Sequence, residues 1–137
     1  MPNTNFFTNQ FADNLRVARS KTFNAVDDAT YNAIRLPRFT LVMDVWLHIT
    51  TAYVAGAPVI TVGWSGNGET ADPDGFLTNA IAHPAQTGLK RAAMGTAGWA
   101  AGKYFNTAGG IVTVTVDDGA ATTEGIFIVF CAYSVVH

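Results

Sequence analysis

One stretch near the middle of the chain alternates between apolar and mixed positions over residues 39–50. Its odd positions are all apolar and its even positions are mixed: Phe39, Leu41, Met43, Val45, Leu47 and Ile49 against Thr40, Val42, Asp44, Trp46, His48 and Thr50. Because successive side chains of a strand point to opposite faces, the alternation predicts one long β-strand with its odd face buried. Pro37 stands just before the stretch, where a missing backbone donor does little harm.

Shorter stretches with strand character lie on both sides of this element. The predicted strands are Val17–Phe23, Tyr31–Leu36, Val59–Trp64 and Ile111–Val116, with weaker candidates at Leu89–Met94 and Lys103–Phe105. Residues 65–110 contain nine of the 13 glycines, yet a structureless loop of that length is unusual in a compact domain. Short elements are therefore expected there, among them a single helical turn capped by Asp74.

The last stretch, Ile126–Val136, is apolar on both faces. Such a strand lies at the centre of a sandwich or also lines a subunit contact. About eight strands with Gly-rich turns and no long helix predict an all-β fold, an antiparallel β-sandwich of the jelly-roll type. The residues expected in its core are Leu41, Met43, Val45, Leu47, Ile60, Val62, Val112, Val114, Ile128 and Phe130.

Residues 1–15 are interpreted as a short N-terminal arm and residues 16–137 as a single β-sandwich domain. The arm is rich in Asn and Thr, yet three of its apolar residues follow one another at intervals of four, the spacing of one helical face. It either packs on its own domain as a short helix or buries its aromatic rings on the shell or a neighbouring subunit. The candidate interface residues are Phe6, Phe7, Phe11, Leu15, Arg16 and Arg19.

Charge is sparse and unevenly distributed along the chain. Charged residues make up 13%, and the net charge of −2 gives no general electrostatic case for nucleic acid. Residues 1–38 hold five basic and three acidic residues, whereas residues 39–137 hold three basic and seven acidic ones. The basic segment either carries ordinary solvated charges or docks on an acidic partner surface.

The single cysteine excludes an intramolecular disulfide. No apolar run is long enough to span a membrane, and the N-terminus has no signal-peptide pattern, so we expect a protein made and kept, or assembled, in a cytosol. Cys131 lies between two apolar residues on the most apolar strand. It is interpreted as a small core residue rather than a nucleophile.

Residues with reactive side chains form no catalytic pattern in the sequence. Nothing assembles an acid–base pair, a triad or a phosphate cradle, and the three histidines lack metal-ligand spacing, so neither an enzyme nor a cofactor is expected. Glu69, Asp72 and Asp74 are a weak candidate calcium site because carboxylates close together suit Ca²⁺. Pro73 and Gly75 explain the same segment as a plain turn.

The order of several short strand sequences resembles a known class of proteins. It runs through residues 44–51, 59–64, 72–77, 102–105, 111–116 and 125–133. Over roughly residues 30–136 it resembles small structural proteins of tailed-bacteriophage virions, in particular jelly-roll capsid decoration or cement proteins. The resemblance implies a position on the capsid exterior, often as a trimer at a local three-fold axis that clamps neighbouring capsid subunits.

We therefore expect a capsid decoration protein that forms a homotrimer and binds the major capsid protein, with no nucleic acid or membrane partner. Its expected location is the capsid surface of a virion assembled in the host cytoplasm. One alternative is a tail or head-fibre component with the same sandwich. Another is a carbohydrate-binding module, in which Trp46, Trp64 and Trp99 would form an exposed stacking platform near Asp72 and Asp74.

Overall fold

The computed structural model describes residues 15–25, 28–54, 56–92, 102–117 and 124–136. Within these ranges the chain forms nine strands and one short helix. The elements are β1 (Leu15–Asn24), β2 (Ala29–Leu36), β3 (Thr40–Thr51), β4 (Val59–Gly66), β5 (Asp72–Leu77), α1 (Asn79–Ala82), β6 (Gly88–Arg91), β7 (Lys103–Phe105), β8 (Gly110–Asp117) and β9 (Ile126–Val135).

Two antiparallel sheets face each other across one core. Sheet A has the order β1-β9-β3-β6, and β7 also pairs with β3; sheet B has the order β2-β8-β4-β5. The last strands of the chain thus return between the first ones in both sheets, which is the connectivity of a jelly roll. The predicted sandwich is confirmed. The structure has nine strands in the described ranges, and the strand that the sequence did not predict is β5.

A β-bulge in β3 makes part of the predicted core wrong. Val42 pairs with Tyr133 while Asp44 pairs with Ala132, so Met43 is an extra residue that shifts the alternation by one. Beyond the bulge, the odd positions of β3 are buried as predicted. Before the bulge, Val42 faces the core instead, which leaves Leu41 half-buried and Met43 48% exposed.

The last strand contributes the face opposite to the one predicted. Phe127, Val129 and Cys131 are buried in the core. Ile128 and Phe130, which we expected there, are half-buried on the outer face of sheet A. Periodicity could not assign the inward face because both faces of β9 are apolar.

The segment after β4 contains short elements, as predicted, but the Asp74 cap is wrong. Asp74 lies within β5, and α1 begins only after Thr78, which makes no capping bond through its side chain. Val62 pairs with Leu77 and Trp64 with Asp72, so four residues of β5 stand opposite Gly63 alone. This wide bulge displays the two acidic side chains of β5 at the margin of sheet B.

The core lies between the sheets and is closed by side chains from nearly every strand. The fully buried large residues are Phe76, Phe105, Phe127, Leu47, Ile49, Ile60, Leu77, Val42, Val45, Val62, Val112 and Val114. The rings of Phe23 and Phe127 stack with centroids 5.5 Å apart and join β1 to β9. Six of the ten residues predicted for the core are confirmed as buried. They are Val45 and Leu47 of β3, Ile60 and Val62 of β4, and Val112 and Val114 of β8.

Candidate functional site

The outer face of sheet A carries apolar and aromatic side chains where water would favour polar ones. Paired residues of an antiparallel ladder share a face, and Phe130 pairs with Trp46 on one side and Arg19 on the other. The rings of Trp46 and Phe130 stack almost in parallel, with centroids 5.5 Å apart and planes inclined by 7°. We call this surface, from Val17 and Arg19 across Trp46 and Phe130 to Leu89, the outer A face.

Apolar side chains at both margins extend this surface. Val17 on β1 is 61% exposed and Leu89 on β6 is 60% exposed. Within the described residues, no helix or strand packs across the outer A face, since α1 contacts β4, β5 and β6 rather than the centre of sheet A. Large apolar side chains exposed together on one face of a sheet mark contact sites on soluble proteins.

Charged groups border the aromatic pair. Asp44 and Arg91 form an ion pair with 2.6 Å between Oδ2 and Nη2, and both residues lie beside Trp46 in the ladder. Aromatic residues and arginines in the centre, with polar groups around them, are the composition that protein interfaces favour. The described part of the outer A face is therefore suited to contact with another protein rather than to a reaction.

The sequence-based interface candidates fall partly on this surface. Leu15 and Arg19 project from the outer side of β1, whereas Arg16 points to the other side of the strand; all three are exposed. Phe6, Phe7 and Phe11 lie outside the described residues. The role of these six residues as an interface stays a prediction. The mixed face of β3, which is visible in the sequence, places Trp46 and His48 on the outer A face.

The three carboxylates of the candidate calcium site do not form one cluster. Glu69 accepts a hydrogen bond from Lys103 Nζ at 2.5 Å, which, with a bond from Asn67, lowers its pKa. Asp72 has a raised pKa, first because of desolvation and then because it shares a hydrogen bond with Asp74. The described residues contain no group of three His, Cys, Asp or Glu side chains able to hold a metal ion.

The tryptophans do not build one stacking platform in the described structure. Trp46 lies on the outer A face, whereas Trp64 belongs to sheet B and packs edge-on against Phe76 with centroids 5.1 Å apart. Lys103 Nζ lies over the Trp64 ring, 4.4 Å from its centroid. Trp99 is outside the described residues. Trp46 and Trp64 therefore do not face a common groove.

Cys131 is buried in the core, as predicted. Burial, with a smaller contribution from the charge of Asp44, raises its pKa to about 12. At pH 8 the side chain is then a protonated thiol, and only the thiolate reacts readily. We expect a thiol reagent such as DTNB to react slowly with the native protein and rapidly after denaturation in guanidinium.

The same shift predicts a loss of stability at alkaline pH. The thiol of the unfolded chain ionises near its ordinary pKa of about 8.5, whereas the folded thiol keeps its proton up to about 12. Between these values the unfolded state binds fewer protons, so the free energy of unfolding falls as pH rises. Cys131→Ala should remove this part of the pH dependence. Rapid labelling of the native protein would contradict the assignment of Cys131 as an inert core residue.

The comparisons with known proteins show the fold. No protein-family model and no curated protein matches the chain. A chain from the acid-stable capsid structure of Helicobacter pylori bacteriophage KHP30 matches at a TM-score of 0.64 and 19% identity, over 88% of this chain and 86% of that chain. A chain from the capsid asymmetric unit of cyanophage Pam1 matches at a TM-score of 0.62 and 18% identity, over 90% of this chain and 86% of that one.

These similarities establish a common jelly-roll fold over nearly the whole length of the three chains. In the described part of this chain, no helix is long and apolar enough to cross a membrane.

Proposed function

We propose that the protein is a structural component of a bacteriophage virion, a capsid decoration protein that forms a homotrimer and binds the exterior of the shell. The outer A face carries this proposal. It presents a stacked Trp46–Phe130 pair and exposed Val17 and Leu89 in a chain with only 13% charged residues. The fold shared with chains of two phage capsid structures supports a place in a virion.

The proposed role follows from the free energy that is lost while the outer A face is exposed to water. Apolar area left in water loses roughly 25 cal/mol per Å² relative to the same area buried, so a partner that covers the face stabilises the assembled state. Other copies of the chain cover it in the homotrimer, and the trimer then attaches to the major capsid protein on the outside of the shell. A structural protein of this kind functions through its buried subunit contacts and needs no catalytic group.

The basic N-terminal segment adds the attachment to the shell. Phe6, Phe7 and Phe11 precede the β-sandwich, and Arg16 and Arg19 follow on β1. Aromatic rings need cover from water, and positive charge steers the segment toward an acidic surface, with the salt sensitivity that such steering implies. In this proposal, either the shell or a neighbouring copy of the chain covers the three rings.

The experiment is co-sedimentation with shells assembled from the major capsid protein of the same phage. The wild-type protein should bind to saturation, while Val17→Asp and Leu89→Asp should weaken binding at least about tenfold, because a charge on a buried contact is costly. Val54→Asp is the matched control, since Val54 is 64% exposed and lies beyond the end of β3, off the outer A face.

Two results would contradict the proposal. If the wild-type protein does not co-sediment with shells at any concentration, the capsid role is wrong. If the Val17 and Leu89 variants bind as well as the Val54 variant does, the outer A face is not a contact surface.

A further inference from the structure

The N-terminal segment joins the sandwich at the margin of the outer A face. Leu15 is the first residue of β1 and projects from the outer side of that strand, as Val17 does two positions later. Residues 1–14 stand immediately before Leu15 and lie outside the described residues. The segment is therefore tied to the surface that no helix or strand of the described structure covers.

The composition of residues 1–14 suits contact with an aromatic surface. The segment carries three phenylalanines, and two of them, Phe7 and Phe11, lead to Leu15 at intervals of four. Residues four apart share one side of a helix, so these three side chains can contact one surface together. Asp13 is the only ionisable side chain of the segment, and its sign is opposite to that of Arg19 on the outer A face.

The ladder registers give the distance that the segment has to cross. Leu15 pairs with Ser134, and Phe130 lies four residues from Ser134 along β9, about 13 Å at 3.3 Å per residue. Trp46 lies opposite Phe130 on β3, about 4.8 Å further across the sheet. The aromatic pair is therefore about 14–16 Å from Leu15.

Residues 1–14 are long enough to reach the aromatic pair in any conformation that the backbone allows. They span about 21 Å as a helix and about 46 Å when fully extended. In a helix that runs back from Leu15, Phe11 and Phe7 stand about 6 and 12 Å from it. Both rings then lie over the surface between Val17 and the aromatic pair.

The covalent link at Leu15 decides between this segment and another molecule as the first cover of the outer A face. A segment tied by a short connection acts at an effective concentration in the millimolar range, whereas another copy of the chain acts at the concentration of the protein. At about 1 µM chain, the tethered segment is favoured about a thousandfold over another copy that makes contacts of equal strength.

We propose that residues 1–14 fold back over the outer A face of their own chain in a copy that has not associated, and that association displaces them. This inference rests on the proposed function, in which other copies cover the outer A face of the assembled protein. The segment keeps Trp46 and Phe130 out of water before assembly. Its displacement then releases Phe7 and Phe11 for contact with the shell or a neighbouring copy, so one exchange of partners serves both surfaces.

Binding of an apolar dye to the full-length protein tests this cover. One variant carries Phe7→Ser with Phe11→Ser, which removes two rings and keeps the chain length. The matched control carries Asn5→Ser with Asn9→Ser, which changes two polar residues at the same interval. The fluorescence of the dye ANS, which binds exposed apolar surface, is measured at dilutions where light scattering gives the mass of one chain, 14.5 kDa.

The wild type and the control should bind the dye weakly at these dilutions. The variant without Phe7 and Phe11 should show at least about threefold more dye fluorescence, because the outer A face loses its cover although the chain becomes less apolar. Adding Val17→Asp and Leu89→Asp to this variant should cancel most of the rise. The two charges interrupt the surface that the dye binds, so the cancellation locates the exposed surface on the outer A face.

A dye signal that does not change when the two rings are lost overturns the proposal. A rise that persists in the fourfold variant overturns it because the exposed surface then lies elsewhere. A strong wild-type signal that falls only as the concentration rises overturns it because another copy is then the first cover.

Two results on the state of the protein also overturn the proposal. A wild type that keeps an oligomeric mass at every dilution leaves no single copy for the segment to cover. A variant without Phe7 and Phe11 that circular dichroism shows unfolded means that the segment is part of the core and cannot be displaced. The shell co-sedimentation described above judges the capsid role separately, because it measures attachment to shells and not the surface of single chains.

Discussion

Replacing Gly63 with alanine is expected to lower the free energy of unfolding by about 3 kcal/mol or more. A Cβ atom at this position would lie 1.8 Å from the carbonyl oxygen of Asp72 and 2.5 Å from the carbonyl carbon of Pro73. Both contacts are with backbone, which has no rotamer to adopt. The strand β5 must therefore move away from β4, and the ladder that holds it is lost.

Urea unfolding monitored by tryptophan fluorescence measures this effect, with Ser65→Ala as the control. Ser65 lies on the same strand and is half-buried, and its change to alanine only removes the hydroxyl group. The expected loss in the free energy of unfolding is therefore below about 1 kcal/mol. Equal stability of the two variants would mean that β5 shifts freely at its bulge. The positions of Asp72 and Asp74 beside β4 would then not be a fixed feature of the fold.

Leu47→Ala should cost about 2–5 kcal/mol, whereas Met43→Ala should cost less than about 1 kcal/mol. Leu47 is fully buried, and its truncation leaves a cavity between the sheets. Met43 is the extra residue of the β3 bulge and is 48% exposed, although the alternation of the sequence places it on the same face as Leu47.

The comparison of Leu47→Ala with Met43→Ala tests the bulge directly. The free energy of unfolding of each variant is measured in urea at equal protein concentration, because the stability of an oligomer depends on concentration. Similar large losses for both variants would show that the strand alternates without interruption. Met43 would then lie in the core, contrary to the structure.

The alternation of β3, β4 and β8 made the sandwich predictable because each strand has one clearly apolar face. The two failures, at Met43 of β3 and in the inward face of β9, have different physical origins. A bulge such as that at Met43 changes the face of every residue on one side of it and leaves no mark in the composition. The inward face of β9 was ambiguous for another reason, since Phe127 and Phe130 are equally apolar.

The candidate site was only partly predictable. The apolar final strand indicated a contact surface, and Asp44, Trp46 and His48 were visible as a separate face of β3. The stacking of Trp46 on Phe130 was not visible, because it depends on which residues of β3 and β9 stand opposite each other. Pairing between strands this far apart in the chain is set by the tertiary fold, so sequence spacing carries no record of it.

The division of one edge of sheet A between β6 and β7 limits how copies can polymerise. Both short strands pair with β3, at Trp46–Ile49 and at Thr40–Val42, so this edge offers no long continuous row of free backbone groups. At the other edge, β1 is interrupted between Arg19 and Thr22 and carries Arg16, Arg19 and Lys21. Short, bulged and charged edges resist the addition of further strands, a growth mode that has no natural end and leads to fibres. In the proposed virion role, where many copies would assemble together, such edges favour side-chain contacts of defined number over unlimited strand addition.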